Sequence, residues 1–485
     1  MTALHFDFLS DYNAWLKLFV VGEWAIRIVM LIVVPFRRTP DAAKGWLLLI
    51  LFEPVVGLAL YFVFGRRRIP EWRLKRATAF AELARPVYAR LSVHPNVTHP
   101  QQHGLAAPAV RLAENLGDLP ILGGNSAEIL SDYDAIVDRL VADIDAARSH
   151  VHLLFYIIAD DAVAERVIAA LKRAAARGVV CRVMADALGS RRRGYDTMMP
   201  RLHAAGIEAG ETMRLRFFRR RGARADLRNH RKIVVIDGRI GYTGSMNLVS
   251  ADFISGLTYE ELMVRVSGPI ALELQAVFVQ DWYLERGRAP DAGDPFPDPE
   301  VTGSVAAQVL PSSPIYPNDN SQRLIVALVN GARTRAVITT PYFIPDQPLL
   351  QALTTAALRG VDVRLVVPAQ DDQLLVSNAQ KSYYEELLTS GVRICRYGKR
   401  FLHAKHATID DDIAWIGSSN MDLRSFSLNA EIVLLAYDRG VCAQIAEVQE
   451  RYFKDGEWLD AVTWGAQPLW RQVGWNLARL FAPLL

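Results

Sequence analysis

The stretch HRKIVVIDGRIGYTGSMN, residues 230–247, decides the fold, because nearly the same pattern returns as HAKHATIDDDIAWIGSSN at residues 403–420. In both copies the histidine is followed, at identical intervals, by a lysine, an aspartate, a Gly-Ser pair and an asparagine. The two histidines are 403 − 230 = 173 residues apart, far beyond the period of solenoid repeats. The pattern therefore predicts two similar domains in one chain.

Each copy of the motif is preceded by a strand–helix–strand pattern. Residues 151–160 and 179–186 read as buried strands on either side of a helix, and so do residues 335–346 and 361–368. Such units predict an α/β fold with a parallel or mixed sheet covered on both faces. We expect the two domains to be related by pseudo-two-fold symmetry.

Two polar, proline-rich stretches suggest where the domains divide. Residues 93–109 and 289–303 read as linkers. The expected division of the chain is an N-terminal hairpin, a basic juxtamembrane segment with a linker, and two similar domains, at residues 1–70, 71–110, 111–290 and 291–485.

The composition limits the possible classes of protein. The chain has 485 residues, of which 51% are hydrophobic and 22% charged, so a largely disordered chain is excluded. The net charge of +3 is too small for a protein whose whole surface binds nucleic acid. Three cysteines without a CxxC spacing argue against a disulfide framework and a structural zinc site.

Two apolar runs near the N-terminus predict a transmembrane hairpin. Residues 18–36 and 46–64 are each long enough to cross the roughly 30 Å core of a bilayer. Glu23 and Arg27 interrupt the first run at a spacing that allows them to pair, and Glu53 interrupts the second. A re-entrant or interfacial hairpin is the alternative.

Basic residues follow the second run directly. Residues 66–76 hold six basic side chains and one acid, and the positive-inside rule places this side in the cytoplasm. The hairpin would then leave the N-terminus and the whole chain after residue 70 on the cytoplasmic side.

The chemistry of the motif favours phosphate. Strand periodicity puts His230 and Lys232 on one face, and likewise His403 and Lys405. A lysine beside a histidine makes a poor metal site but supplies positive charge to a phosphate, so we expect no metal. The serines and asparagines after each strand are candidates for binding the phosphate oxygens: Ser245, Asn247, Ser418 and Asn420.

Other residues of the motif have weaker assignments. Arg231 and His406 should point to the opposite face of the strands and are given no role. Asp237 and Asp410 occupy strand-to-turn positions, where a structural role is at least as plausible as a chemical one.

Acidic residues follow each copy and could orient the histidines. Glu260 and Glu261 come 30 and 31 residues after His230, and Glu431 comes 28 residues after His403. A carboxylate on the second ring nitrogen would fix the tautomer and raise the basicity of the imidazole. The spacing leaves open which acid serves which histidine; Glu261 and Glu431 are the candidates.

HxKxxxxD with a downstream GSxN, present twice, resembles the phospholipase D superfamily. Further segments are similar to the bacterial cardiolipin synthases: the spacing of Pro54, Gly57, Tyr61 and Gly65, the TPYFIPD segment, the LHAK of the second motif and the NMDLRSF–LNAE stretch. The resemblance covers essentially the whole chain. It implies two phospholipase D-like sandwich domains, no cofactor, and a catalytic set of His230, Lys232, Asp237, His403, Lys405 and Asp410.

The resemblance also implies the reaction. A phosphatidyl group would pass from one phosphatidylglycerol to another through a phosphohistidine, with His230 as nucleophile and His403 as general acid and base. The expected partners are phosphatidylglycerol and other anionic membrane lipids, without nucleic acid, and the expected location is the bacterial inner membrane. Rival functions are a phospholipase D hydrolase, a membrane-tethered nuclease and a non-catalytic lipid scaffold.

An arginine-rich stretch precedes the first motif. Residues 214–228 are strongly basic, and we expect them to contact anionic lipid near the mouth of the site. A solvated loop is the alternative.

Overall fold

The computed structural model describes residues 4–38, 40–63, 65, 69–100, 107–214, 226–290 and 296–481. By contacts the chain divides into two compact units, Met1–Glu71 and Trp72–Leu485.

The N-terminal unit consists of three helices around a small apolar core. These are α1 (Leu4–Val33), α2 (Pro40–Phe52) and α3 (Pro54–Val63). Within the described part of this unit, the buried apolar side chains are Met30, Val34, Ala43, Ile50 and Tyr61.

The prediction of one continuous helix over residues 46–64 is wrong. The chain breaks at Glu53, because Pro54 has no N–H to donate and its ring would collide with the carbonyl of Ile50 in a continuing helix. A Cβ atom on Gly57 would lie 2.8 Å from the Cα of Ile50, so α3 folds back against α2. At 1.5 Å per residue, the two helices are about 20 and 15 Å long.

The first predicted span, residues 18–36, lies mostly in the longer α1. Glu23 and Arg27 form the expected ion pair at 3.2 Å. Among the described residues, no helix has both the length and the apolar character needed to cross a membrane.

The second unit begins with helices and then repeats one pattern twice. Its N-terminal helices are α4 (Glu71–Ser92) and α5 (Ala107–Gly117). The first half then contains β1 (Leu122–Leu130), α6 (Tyr133–Ala146), β2 (His150–Phe155), α7 (Ala162–Ala176), β3 (Val180–Asp186), α8 (Ala187–Arg191), α9 (Tyr195–Ala204), β4 (Glu208–Thr212), β5 (Ile233–Ile236), β6 (Ile240–Gly244), β7 (Tyr259–Glu260), β8 (Met263–Ser267) and α10 (Ala271–Arg286).

The second half repeats this order with additions at its C-terminus. It contains β9 (Val305–Ser312), α11 (Asn320–Gly331), β10 (Arg335–Thr339), β11 (Phe343–Ile344), α12 (Gln347–Leu358), β12 (Asp362–Pro368), α13 (Leu374–Lys381), α14 (Tyr384–Thr389), β13 (Arg393–Tyr397), β14 (Phe401–Leu402), β15 (His406–Ile409), β16 (Ile413–Gly417), β17 (Met421–Asp422), α15 (Leu423–Ser427), β18 (Glu431–Ala436), α16 (Arg439–Asp455), β19 (Gly456–Trp458), α17 (Ala461–Gly465) and α18 (Leu469–Arg479).

Within the described residues, fifteen strands from both halves join in one mixed sheet. Their order is β4-β3-β2-β5-β6-β8-β1-β9-β18-β16-β15-β10-β12-β13-β19. Reading outward from the β1–β9 pair, each half presents equivalent strands in the same sequence, which is the pattern of a two-fold repeat. The predicted α/β class with two similar halves is confirmed.

The sheet is buried on both faces, which explains the near-continuous apolar runs of its strands. On β5, Ile233 and Val235 belong to a central core that includes residues of both halves, whereas Val234 and Ile236 belong to the core of the first half. Because the halves share that central core, residues 72–485 form a single unit. The predicted boundary near residue 290 remains a prediction about the repeat.

Candidate active site

The two histidine–lysine pairs lie at the start of equivalent strands. His230 and Lys232 come just before β5, His403 and Lys405 come just before β15, and all four side chains are buried. Each lysine Nζ donates to the carbonyl oxygen of its own histidine, at 2.8 and 2.6 Å. In the first half, Lys232 Nζ and the His230 ring lie 5.6 and 4.9 Å from the Tyr156 ring, so these two side chains share one side of the chain.

Backbone hydrogen bonds join each histidine to the other half of the unit. The N–H of His230 donates to the carbonyl of Ala430 at 2.8 Å, and the N–H of His403 donates to the carbonyl of Glu260 at 2.9 Å. The Glu260 carboxylate itself faces Arg400, at 3.4 Å. The site is therefore assembled at the junction of the halves.

The acid that faces each histidine comes from the opposite half. Glu431 Oε2 lies 3.0 Å from Nδ1 of His230, and Glu261 Oε1 lies 2.7 Å from Nδ1 of His403. An acceptor at Nδ1 holds the proton on that nitrogen and leaves the lone pair on Nε2. Both imidazoles thus present Nε2 to the site. Each histidine is paired with the glutamate that follows the other motif, which the spacing alone did not decide.

The glycine of each GSxN segment allows a strand to approach the backbone beside the glutamate. A Cβ on Gly244 would lie 2.3 Å from the carbonyl oxygen of Leu262, and one on Gly417 would lie 2.2 Å from that of Ile432. Any other residue would push the strand away from the segment that carries the orienting acid.

The two serines predicted to bind phosphate contact these same segments. Ser418 Oγ donates to Glu431 Oε2 at 2.5 Å, and Ser245 Oγ accepts from the N–H of Leu262 at 2.9 Å. Their hydroxyls are committed to the glutamate segments because the tight glycine contact aims them there. The serines position the acids, and the acids in turn face the histidines.

The amide oxygens of the two asparagines have different environments. Asn247 Oδ1 accepts from the N–H of Ile157 at 3.2 Å, which fixes the plane of the amide. Asn420 is buried, and its Oδ1 has no hydrogen-bond partner in the described part of the structure.

Asp237 and Asp410, predicted in the catalytic set, lie away from the histidines. Each follows the far end of the strand that its histidine precedes, at φ of 54° and 53°. Asp237 accepts from the N–H groups of residues 148–150 at 2.7–2.9 Å, and Asp410 from those of residues 333–335 at 2.8–3.0 Å. They hold the turn that begins the neighbouring strand, because a carboxylate at this corner meets three converging donors.

Aromatic rings that the motif analysis did not assign surround the histidines. The Tyr156 ring lies 4.9 Å from that of His230, and the Tyr259 and Tyr342 rings lie 5.2 and 6.4 Å from that of His403. Tyr156 and Tyr342 each follow the first strand of a strand–helix–strand unit. This shared position in the sequence could have identified them as residues of the site.

Burial and crowding change the charge state of the lysines. Burial lowers the pKa of Lys232 to about 7, and the charge of Lys405 acts in the same direction. Burial lowers the pKa of Lys405 to about 8, while Glu261 and Glu431 act against this change. An incoming anion would therefore favour the charged form of both lysines.

Burial acts in opposite directions on the pKa values of the histidines and of the glutamates that face them. Burial lowers the pKa of His230 to about 4 and also lowers the pKa of His403, against the effect of the facing carboxylates. Burial acts to raise the pKa of Glu431, but His230 and Lys232 hold that pKa below its usual value. At neutral pH the empty site then pairs neutral imidazoles with ionised carboxylates.

Arg231 has a role that the sequence did not suggest. It points to the opposite face, as predicted, where its guanidinium is buried against Asp281 at 2.8 Å. It also donates to the carbonyls of Glu431 at 3.0 Å and Ser312 at 3.2 Å, both in the second half. Arg231 thus ties the first motif to the strand that carries its orienting acid.

His406 likewise packs on the opposite face, near Tyr452 of α16.

The arginine stretch is only partly described. Most of it, residues 215–225, lies outside the described residues. Arg228 is buried and pairs with Asp186 at 3.1 Å, and Arg214 pairs with Glu211 at 3.0 Å. These two arginines are structural, so the predicted lipid contact applies at most to the residues between them.

The basic cluster after the second apolar run, residues 66–76, is also only partly described. Residues 66–68 lie outside the described residues. Arg73 is buried and pairs with Glu285 at 2.6 Å, and Arg76 donates to the Leu284 carbonyl at 2.7 Å. Both arginines bind to the end of α10.

The two-fold repeat of strands in the sheet and the duplicated motif define a protein of the phospholipase D-like class. A family model described as cardiolipin synthase, PLD-like domain, matches residues 140–282 and 325–455, one motif in each segment. The chain belongs to this cardiolipin synthase family. A second model, described as phospholipase D-nuclease N-terminal, matches residues 25–66.

Full-length relatives and a solved structure agree with this assignment. Cardiolipin synthase A of Yersinia pseudotuberculosis is 36% identical, covering 97% of this chain and 98% of that protein. The Yersinia pestis cardiolipin synthase A gives the same values. Phosphatidylserine synthase from Haemophilus influenzae superposes with a TM-score of 0.61 over 78% of this chain and 97% of that one, at 16% identity, which shows a common fold.

Proposed function

We propose that this chain is a phosphatidyltransferase that moves a phosphatidyl group from one phosphatidylglycerol to another, giving cardiolipin and glycerol. One observation supports this above others: two histidines, each oriented by a buried carboxylate of the opposite half, meet at one junction with two buried lysines. Full-length similarity to cardiolipin synthase A supports a phospholipid substrate.

Phosphate binding is assigned to four side chains of the paired motif. Lys232 and Lys405 would neutralise the non-bridging oxygens, and the amides of Asn247 and Asn420 would donate hydrogen bonds to them. Charge develops on those oxygens in the transition state, so fixed donors lower the barrier there.

The first step forms a covalent intermediate. Nε2 of His230 attacks phosphorus, the P–N bond forms, and the P–O bond to glycerol breaks while His403 donates its proton to the leaving oxygen. The Glu431 carboxylate stabilises the positive charge that the phosphorylated imidazole acquires.

The second step reverses the proton transfer with a new acceptor. The glycerol hydroxyl of a second phosphatidylglycerol gives its proton to His403 and attacks phosphorus. The P–O bond forms, the P–N bond breaks, and His230 returns to its neutral state. Glu261 holds His403 in the tautomer that both steps require.

Substrate charge explains how a buried His403 becomes protonated. Burial favours the neutral imidazole of both histidines before the substrate binds. A bound phosphodiester adds one negative charge, and an anion beside an imidazole raises its pKa. Binding of substrate thus creates the general acid.

Membrane attachment through the N-terminal unit is the second part of the proposal. Large apolar side chains are exposed along α1 and on α2 and α3, including Phe19, Trp24, Ile28, Leu48 and Phe52 at 57–77% exposure. Such a surface suits the acyl region of a bilayer. We assign the chain to the bacterial inner membrane, attached through this apolar surface, with its catalytic unit in the cytoplasm.

The product distribution tests the reaction. Purified full-length protein is incubated with phosphatidylglycerol, and lipids and released glycerol are quantified together. We expect cardiolipin and glycerol in equal amounts. Phosphatidic acid as the main product would establish the hydrolase, and degradation of single-stranded DNA by the same preparation would establish the nuclease.

A parallel incubation with EDTA tests whether metal is needed. Activity should persist, because the proposed chemistry uses two histidines and no ion. Loss of activity that one divalent cation restores would contradict this.

A further inference from the structure

The C-terminal helix α18 carries an unpartnered apolar ridge. At 100° per residue, its exposed apolar side chains fall within a sector of about 120°. They are Leu469, Trp470, Val473, Leu477 and, just past the helix, Leu480 and Phe481, with exposures between 48% and 74%. A continuous ridge of this kind on one helix marks an interaction surface, unlike isolated exposed apolar residues.

The opposite face of α18 is fixed to the catalytic unit. Trp475 stacks on Trp464 with ring centroids 5.1 Å apart, Ala478 is buried, and the Arg479 guanidinium lies 4.2 Å from the centre of the Tyr383 ring. The ridge is therefore presented outward by a helix that is already docked.

Cations and indoles border the ridge. Residues 461–485 contain two arginines, three tryptophans and no acid. A cavity of about 440 Å³ beside α18 is lined by Lys381, Arg396 and Arg471 together with Trp470 and Trp475. Lys381 and Arg396 have acidic partners at 3.3 and 3.4 Å, and Arg471 donates to Gln467 at 3.1 Å. Tryptophan and arginine beside an apolar face are typical of helices in the headgroup region of a bilayer.

A short path of contacts connects this surface to the active site. Tyr342, which packs beside His403, donates its hydroxyl to Asp372 at 2.5 Å and accepts from Gln373 at 3.3 Å. Helix α13 begins at the next residue, Leu374, which is 72% exposed. Helix α13 packs along α18. The exposed start of α13 therefore lies next to residues that contact Tyr342 beside His403, and α18 packs along the same helix.

We propose that α18 and the first turn of α13 form a docking surface that seats the mouth of the active site on an anionic bilayer. The inference rests on the proposed function, since a lipid substrate requires access from the membrane. The net positive charge of residues 461–485 attracts anionic headgroups, and the ridge enters the boundary with the acyl chains. A bilayer fits better than a second copy of the chain. In a symmetric dimer formed through this ridge, the arginines of residues 461–485 would face no acidic residue of the same segment in the other copy.

A site-specific probe tests the docking directly. Val473→Cys is labelled with an environment-sensitive fluorophore in full-length protein; the three native cysteines are buried. Leu358→Cys is the matched control. Leu358 is 75% exposed at the end of α12, the edge of the sheet opposite the carboxyl ends of β10 and β12.

On nanodiscs that contain phosphatidylglycerol, the probe at residue 473 should shift to the blue and be quenched by brominated acyl chains, whereas the probe at residue 358 should do neither. Equal behaviour of the two probes would overturn the proposal. So would shielding that depends on protein concentration and not on lipid, since that indicates a second copy. The measurement uses the inactive His403→Ala background, so it stands even if the proposed reaction fails.

An activity comparison separates docking from catalysis. The triple variant Trp470→Ser, Val473→Ser, Leu477→Ser should lose roughly tenfold or more of its activity on bilayer substrate. Its activity on a short-chain, monomeric phosphatidylglycerol should stay within about twofold of wild type. Leu358→Ser should change neither. Equal losses on both substrates would mean that the variant damages the site, and would contradict the docking role.

Discussion

The carboxylate of Glu431 lies 3.0 Å from Nδ1 of His230, although 201 residues separate them in the chain. The equivalent pair, Glu261 and His403, meets at 2.7 Å across 142 residues. Each half of the catalytic unit thus supplies the histidine of one pair and the acid of the other. A single half would contain a histidine without its acid, so both halves are needed to complete either pair.

Removing the charge of either acid should lower turnover strongly. Glu431→Gln and Glu261→Gln each keep the shape but allow the wrong tautomer of the facing histidine, and we expect kcat to fall roughly 10²–10⁴-fold. Steady-state kinetics on a soluble phosphodiester provides the measurement. Glu260→Gln is the matched control, because that carboxylate faces Arg400 and should leave kcat within about threefold. An equal loss in the control would mean that the segment, not the contact with histidine, matters.

The histidine, lysine and strand assignments followed from the sequence because they depend on local periodicity. The repeat fixes which residues share a face of β5 and β15, and this geometry does not change with tertiary context. The acid partner of each histidine could not be predicted in this way, because spacing within one half does not show which half the acid will face. Glu261 lies 31 residues from His230 in sequence but bonds to His403.

Packing also decides two features that the sequence does not show. Residues 46–64 are apolar enough to suggest one span, but hydropathy does not register that Gly57 lacks the Cβ that would prevent α3 from closing on Ile50. The hydroxyls of Ser245 and Ser418 looked available for phosphate. The contacts of Gly244 and Gly417 with the glutamate segments turn them toward the acids instead, and such contacts are not visible in a motif.

The two histidines should differ in their ability to form a covalent intermediate. With a phosphatidyl ester of p-nitrophenol, a leaving group that needs no proton, His403→Ala should release one equivalent of nitrophenolate and retain a labelled phosphatidyl group. His230→Ala should do neither, because it lacks the nucleophile. Acid-labile, base-stable label measured after denaturation checks this. Label on His230→Ala but not on His403→Ala would reverse the assignment.

Substrate affinity should weaken on the alkaline side of neutrality. The pKa values of Lys232 and Lys405, lowered by burial to about 7 and about 8, mean that the empty site loses positive charge as pH rises through this range. Bound phosphodiester favours the protonated lysines, so kcat/KM should fall above about pH 7, by up to about tenfold per pH unit for each group. Lys405→Arg should make this limb shallower above about pH 8, since arginine stays charged and only Lys232 then loses its proton. Lys399→Arg, at an exposed position, should not.

The serine of the second motif should act through its glutamate. Ser418→Ala removes the donor to Glu431, and we expect kcat to fall by about tenfold or less, with a loss of about 1 kcal/mol in the free energy of unfolding. The diagnostic measurement is a double-mutant cycle with Glu431→Gln. In that background Ser418→Ala should have little further effect on kcat. Additive effects, or an increase confined to KM, would indicate direct phosphate binding.

Asp410 should matter for stability and not for chemistry. Burial acts to raise the pKa of Asp410, but the N–H groups of residues 333–335 hold it below its usual value. An acid whose pKa is lowered in the folded state stabilises the fold fully above its unfolded pKa of about 4, and this contribution is lost as pH falls toward the folded value. Asp410→Asn tolerates the same positive φ, so it tests the charge without adding backbone strain.

At neutral pH we expect Asp410→Asn to lower the free energy of unfolding by about 1–3 kcal/mol. Turnover at a temperature well below the midpoint should stay within about twofold of wild type, because the carboxylate lies beyond the far end of β15 from His403. Thermal denaturation at pH 7 and pH 4, paired with kcat, measures both effects, and the stability difference should shrink at the lower pH. Asp411→Asn, which removes an exposed pair with Arg335, is the control and should cost about 0.5 kcal/mol or less. A large fall in kcat for a fully folded Asp410→Asn would return this aspartate to the catalytic set.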